Sequence, residues 1–343
     1  MNPNHKCIPV YEPQLQQQLK KSNNMSRFNV LILLVSLLSL SVMAAASTTA
    51  NYTYTYKMSE SMAKAIDIGM AEMVKSTKWQ QLFLNLGLSF PIPSCNSKYG
   101  TTYPTNPFYS NQVIKICYEM PGPVWYDLYK GAGDMLVSLL NEKYGTSMTT
   151  KHIILNTTSM GYFDTMANAV NTGICDVCTS AVIYTQARSS LVNFNCPYGS
   201  SSLSMLRSTL NNTINGTVLF PTVESLNNSK AIVVVYGGSY YETWARQNIP
   251  AAKLIYAPGG YDECYEYIKQ GSVHATIGDA VDFSGWLNTN KQNNCTSCFV
   301  KLIGAAFTYS SVTTLNTSHA ILSAVCSYQL LMLIFMVLYL VTL

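Results

Sequence analysis

Charge is scarce in this sequence. Only 11% of its 343 residues are Asp, Glu, Lys or Arg, against roughly 25% in an ordinary soluble chain. The net charge is +4 and no block of Lys or Arg occurs, so the electrostatic footprint of a nucleic-acid-binding protein is missing. Histidine is rarer still: His5, His152, His274 and His319 are the four present. No H-E-x-x-H, G-x-S-x-G or Walker loop occurs, which removes zincin, serine-hydrolase and P-loop chemistry and implies no cofactor. No Asp, Glu, Lys or Arg follows Lys301. Apolar residues, at 48%, are plentiful enough to fill one large domain or two lobes and to exclude wholesale disorder.

Both ends read as processing segments. Lys20, Lys21 and Arg27 precede an apolar run at 30–43, and Ala44-Ala45-Ala46 offers an A-x-A cleavage site. Residues 1–46 are therefore expected to be a secretory signal peptide with an N-terminal extension. Either Met25 is the true start or the run is an uncleaved anchor. The apolar segment 330–343 is short for a spanning helix and has no basic flank. With small residues at Asn316-Thr317-Ser318 or Ser323-Ala324, residues 316–343 fit a GPI-attachment signal, a membrane tail being the alternative. The expected location is the extracellular face of the plasma membrane, held by the C-terminal anchor.

Asn-x-Ser/Thr sequons at Asn51, Asn156, Asn211, Asn215, Asn227, Asn294 and Asn316 suggest a glycosylated surface and a eukaryotic host. Cys95, Cys117, Cys175, Cys178, Cys196, Cys264, Cys295 and Cys298 remain between the terminal segments. An even number in an oxidising compartment reads as disulfides, with connectivity open. The pairs Cys175/Cys178 and Cys295/Cys298 also permit a metal or redox reading, although their separation is far from zinc-ribbon spacing.

Residues 58–88 repeat apolar side chains at helical spacing, and Pro91 and Pro93 end the pattern. The stretch 94–110 reads as a loop. Strands are expected at 113–118, 151–155 and 174–183, with helices at 131–144 and 162–170 between them. A polar stretch, 208–230, separates these from a second unit, with strands at 231–236, 253–256 and 275–279 and helices at 241–247 and 261–270. Strands alternating with helices imply crossover connections and parallel sheets.

Polar groups concentrate at three strand-to-helix junctions, where open α/β sheets bind ligands. Arg188 follows the strand at 174–183 and offers a planar fork for a carboxylate. Gly238 and Ser239 open the helix after 231–236, where Gly lets backbone approach a ligand and Ser caps the helix. Asp279 ends the last strand and suits an ammonium or a helix cap. Glu119 and Asp127 near the first strand end leave acid–base chemistry open.

In order and spacing, "GICDVCTSAVIYTQARSSLVNFNCPY" at 173–198, "VVYGGSYYETWARQNIPAAKLIY" at 234–256 and "YIKQGSVHATIGD" at 267–279 resemble the family-3 extracellular solute-binding proteins. The resemblance implies an α/β, two-lobed, periplasmic-binding-protein-like type II fold, each lobe a mostly parallel sheet flanked by helices. It implies lobe 1 at 58–206, lobe 2 at 207–282 and a return of lobe 1 at 283–312. "MAKAIDIGMAEMVKSTKWQQLFLNLGL" at 62–88 is similar to the family's C-terminal helix. Residues 58–90 would then be that helix placed first by circular permutation, the chain ends of such a domain lying close together.

For function, the resemblance implies capture of an amino acid or similar small zwitterion. Arg188 would hold the α-carboxylate, Asp279 the α-ammonium, and the Gly238–Ser239 turn would contribute backbone N–H groups. Trp125, Tyr126 or Tyr118 would cover the ligand. One departure stands out: Ile183, with Ala181 near it, occupies the place of a family Ser or Thr that hydrogen-bonds the carboxylate. The alternatives are an enzyme on the same scaffold, dehydratase- or lyase-like, and an adhesion or recognition glycoprotein whose cleft is unused. No protein partner is identified.

Overall fold

The computed structural model describes residues 54–88, 91–119, 123–210, 212–290 and 295–315. The expected signal peptide, the C-terminal anchor segment and the sequons at Asn51, Asn211, Asn294 and Asn316 lie outside the described residues. The described residues all belong to one unit, Thr53–Leu343.

The first helical run is two helices, α1 (Glu60–Lys75) and α2 (Thr77–Asn85). Ser76 breaks them: its backbone is extended, and its hydroxyl accepts from Trp79 N to start the second helix while its own N–H closes the first. A Ser that caps the next helix satisfies N–H groups that would otherwise be orphaned. Met62, Ile66, Met70 and Met73 form the buried face of α1 and share one apolar cluster with β1 (Val113–Glu119), α3 (Pro123–Tyr144) and β3 (Val177–Ile183). Asp67 is buried in the same face. It accepts from Cys196 N at 3.0 Å, Ser97 Oγ at 2.6 Å and Lys98 N at 3.2 Å, so it ties the loop before β1 to β4 (Val192–Ser208).

The remaining elements are β2 (Thr149–Leu155), α4 (Tyr162–Asn171), α5 (Gln186–Ser189), β5 (Thr213–Ile214), β6 (Thr217–Val218) and α6 (Val223–Leu226). They are followed by β7 (Ile232–Tyr236), α7 (Tyr240–Asn248), β8 (Lys253–Ala257), α8 (Tyr261–Lys269), β9 (Ala275–Asp279), α9 (Ala280–Asn290) and β10 (Cys298–Thr314). Among the described residues eight strands form one sheet in the order β2-β1-β3-β10-β4-β9-β7-β8. β1 runs parallel to β2 and β3, and β7 runs parallel to β8 and β9. Each parallel trio is flanked by helices, which is the expected α/β class.

Two 17-residue strands join the trios. β4 and β10 pair antiparallel from Val192↔Thr314 to Ser208↔Cys298, β10 also pairing with β3 and β4 with β9. Nothing in sequence periodicity suggested strands of that length. The centre of β4 reads Gly199-Ser200-Ser201-Ser202, yet these residues are buried. Their hydroxyls are spent on defined partners, including Asp279 for Ser201 and Gly304 O for Ser202. Buried polar groups are tolerated when each is bonded. Gly199 leaves room for the Tyr309 ring: a Cβ there would lie 2.2 Å from the phenol oxygen.

Among the described residues three disulfides form, Cys95–Cys196, Cys117–Cys175 and Cys295–Cys298, as befits a secreted or extracellular chain. Cys178 and Cys264 depart from the expected set of eight bonded cysteines: both are free and buried. Cys178 Sγ turns toward Met166 Sδ, 3.3 Å away, while Cys117 is taken by Cys175. Cys264 sits in a separate apolar cluster with Val234, Ile268 and Phe283. Burial pushes both thiols up to about 12. Among the described residues no helix is long and apolar enough to cross a membrane.

Candidate functional site

The carboxyl ends of both parallel trios open on one cavity of about 780 Å³. Strand ends of an open α/β sheet leave such a crevice because the helices that follow turn away on either side. Glu119 at the end of β1, Thr157 beyond β2, and Ile183 and Arg188 around α5 line it from one half. Tyr236, Ser239, Tyr261, Asp279 and Asp282 line it from the other.

Arg188 is held from below. Thr185 Oγ1 caps its turn by accepting from Arg188 N at 3.1 Å, and one guanidinium nitrogen donates to Ile183 O at 3.2 Å. The guanidinium lies over the Phe163 ring, 4.6 Å from its centroid, a stacking that suits its flat, weakly hydrated face. Burial pushes its pKa down, opposed by Tyr162, Tyr241 and Asp164. Asp279 is 4% exposed. Its Oδ1 accepts from Ser201 Oγ at 2.5 Å, Val281 N at 2.7 Å and Asp282 N at 3.3 Å. Its Oδ2 meets only the Tyr241 hydroxyl, at 3.4 Å. Burial raises this carboxyl to about 6 against those hydrogen bonds. A buried cation and a buried anion thus share one cavity without bonding to each other.

The chain is similar in shape to solved amino-acid-binding proteins. The arginine-bound form of truncated ArgBP from T. maritima matches at 14% identity and a TM-score of 0.46, over 61% of this chain and 91% of that one. An ancestral arginine-binding protein bound to glutamine matches at 17% and 0.47, over 62% and 88%. The GluR0 ligand-binding core in complex with L-glutamate matches at 17% and 0.47, over 61% and 87%. No protein-family model matches, and no curated protein matches by sequence.

Of the other residues singled out in the sequence, Ser239 and Trp125 line the cavity. The Ser239 hydroxyl is committed to capping α7, accepting from Tyr241 N and Glu242 N and donating to Tyr236 O. Tyr118 and Gly238 are not on the wall. The Tyr118 ring is fully buried against Tyr126 and Tyr129, because successive side chains on a strand face opposite ways and its neighbour Glu119 takes the cavity side. Gly238, at φ +72°, sits where the two halves touch. Phe163 N donates to its carbonyl at 3.4 Å and Tyr162 N to Gly237 O at 3.3 Å. Ile183 and Ala181 line the cavity without a hydroxyl, Ile183 contributing its carbonyl to Arg188.

Sequence reasoning missed Asp282, Tyr241, Tyr261 and Tyr265, which also line the cavity. The same junction criterion, applied to Gly259-Gly260 after β8, would have found Tyr261. Of the two wall carboxyls with a defined value, Glu119 is the more strongly shifted. Burial raises it to about 8, the Tyr236 hydrogen bond at 3.2 Å only partly opposing. Burial, then the charges of Asp279 and Glu119, push Asp282 well above the carboxylate range. Among the described residues no group of three or more His, Cys, Asp and Glu is placed to hold a metal ion.

Proposed function

We propose that the protein captures a small zwitterion, an amino acid, in the cavity between its two halves. The observation that carries the reading is the unbonded pair: Arg188 on one half and Asp279 on the other line the same cavity. An α-carboxylate against Arg188 and an α-ammonium against Asp279 Oδ2 would bridge the halves and favour their closure about β4 and β10. The terminal apolar segments would deliver the chain to the cell surface and hold it there by a C-terminal anchor. The domain limits of the sequence reading stand as part of this proposal. Packing of α1 and α2 with β1 and β3 supports reading them as the displaced final helix of a permuted solute-binding fold.

A thermal-shift screen with the twenty L-amino acids tests the reading, because a ligand that binds only the native state raises its stability. Calorimetry on a hit is expected to lose at least about 30-fold in affinity on Arg188→Ala, as when one partner of a buried charge pair is truncated. An unchanged Kd removes Arg188 from the site. An enzyme is the second reading. It is favoured by Glu119, a carboxyl held protonated at neutral pH on the cavity wall and so fit for general acid work. Recovery of intact ligand after prolonged incubation separates the two.

A further inference from the structure

The cavity holds more acid than an α-amino and α-carboxyl group would use. With Asp279 set against an ammonium and Arg188 against a carboxylate, Glu119, Asp262 and Asp282 remain on the wall, Glu119 and Asp282 both withdrawn from water. The other basic side chain there, Lys269, is already paired with Glu266. Beside these carboxyls lie the hydroxyls of Tyr265, on a side chain 4% exposed and turned to Asp282, and of Tyr261, turned to Tyr241. The Tyr265 ring stacks on Trp286 at 4.4 Å and 15°, making a flat aromatic wall of the kind that attracts cations.

We infer that the ligand is a basic amino acid, whose side-chain cation is held by Glu119 and Asp282 beside the Tyr261 and Tyr265 hydroxyls. This rests on the amino-acid reading of Arg188 and Asp279. The groups that face Glu119 are Tyr236 from β7, Tyr129 from α3, Tyr162 from α4, Cys178 from β3, Tyr198 from β4 and Asp282 from α9. None is a cation, so only a ligand brings one. Glu119 is therefore mostly protonated at pH 7 before binding and loses its proton when a cation arrives.

The test is calorimetry on the full chain with matched probes: L-arginine against L-citrulline, L-lysine against L-norleucine, and agmatine, which lacks the carboxylate. L-arginine and L-lysine are expected to bind at least about 30-fold more tightly than their neutral counterparts, and Glu119→Gln to bring each pair within a few fold. Titrations of L-arginine at pH 7 in buffers of different ionisation enthalpy are expected to report net proton release, since burial raises both Glu119 and Asp282. Asp282→Asn gives a second reading of the same discrimination if Glu119→Gln does not fold. Equal binding of neutral and basic probes, with all of it lost in Arg188→Ala, overturns the charge inference and leaves amino-acid capture standing. Agmatine binding as well as L-arginine overturns capture through the carboxylate while the cationic subsite stands. Binding of none of the probes, or no proton release with L-arginine, overturns the inference.

Discussion

Replacing Glu119 by Gln is expected to change how stability depends on pH, with no ligand needed. The carboxyl moves from 4.5 to about 8 on folding, and each unit is worth 1.36 kcal/mol. Since the folded value is the higher, the folded state binds this proton more tightly. The contribution is fully present below pH 4.5 and is lost as pH rises through about 8. It amounts to about 4–5 kcal/mol between those limits. Asp279, raised to about 6, acts in the same direction at lower pH. Glutamine can keep the Tyr236 hydrogen bond but cannot ionise, so the Glu119 part of the slope disappears. Urea unfolding of the wild type and Glu119→Gln at pH 5, 7 and 9 measures it. The wild type should weaken toward pH 9 by several kcal/mol more than the variant. Parallel pH profiles would refute the claim that this carboxyl is withdrawn from water in the folded chain.

Gly238→Ala places a Cβ 2.9 Å from both Gly161 Cα and Tyr162 N at φ +72°. The left-handed backbone costs about 1–2 kcal/mol, and the two hydrogen bonds between the halves about 0.5–1.5 each. The variant should adopt a larger radius of gyration in solution scattering with its helix content unchanged, and an unaltered radius contradicts the contact. Cys196→Ala opens a disulfide that spans 101 residues and should lower stability by about 2–5 kcal/mol. Equal denaturation midpoints for variant and wild type would show that the bond contributes nothing.

What the sequence revealed divides along physical lines. The β7–β9 unit and α4 and α8 were legible to within a residue or two, because periodicity and glycine stops are local. β4 and β10 were not, since Ser200, Ser201, Ser202 and Ser204 carry no apolar alternation. They lie in a strand paired with β10 and, at Ser204, β9, and each hydroxyl finds a partner 74 to 109 positions away. The break at Ser76 was hidden inside an uninterrupted apolar pattern. Cysteine connectivity is likewise a property of the assembled fold, as the thiols of Cys178 and Cys264 illustrate. At the site, Arg188 and Asp279 stood out because they follow strands. Asp282, Tyr261 and Tyr265 gain meaning only once the assembled fold turns them onto the cavity wall. Neither Gly238 nor Tyr118 could be assigned a side from spacing alone.

The central claim is that Arg188 receives a carboxylate across the cavity from Asp279. Titration of L-arginine and agmatine into wild type and Arg188→Ala tests it most directly, since the two ligands differ by that carboxylate. The wild type should prefer L-arginine by at least about 30-fold, and the variant should bind both alike. A preference that survives loss of the guanidinium would contradict the account.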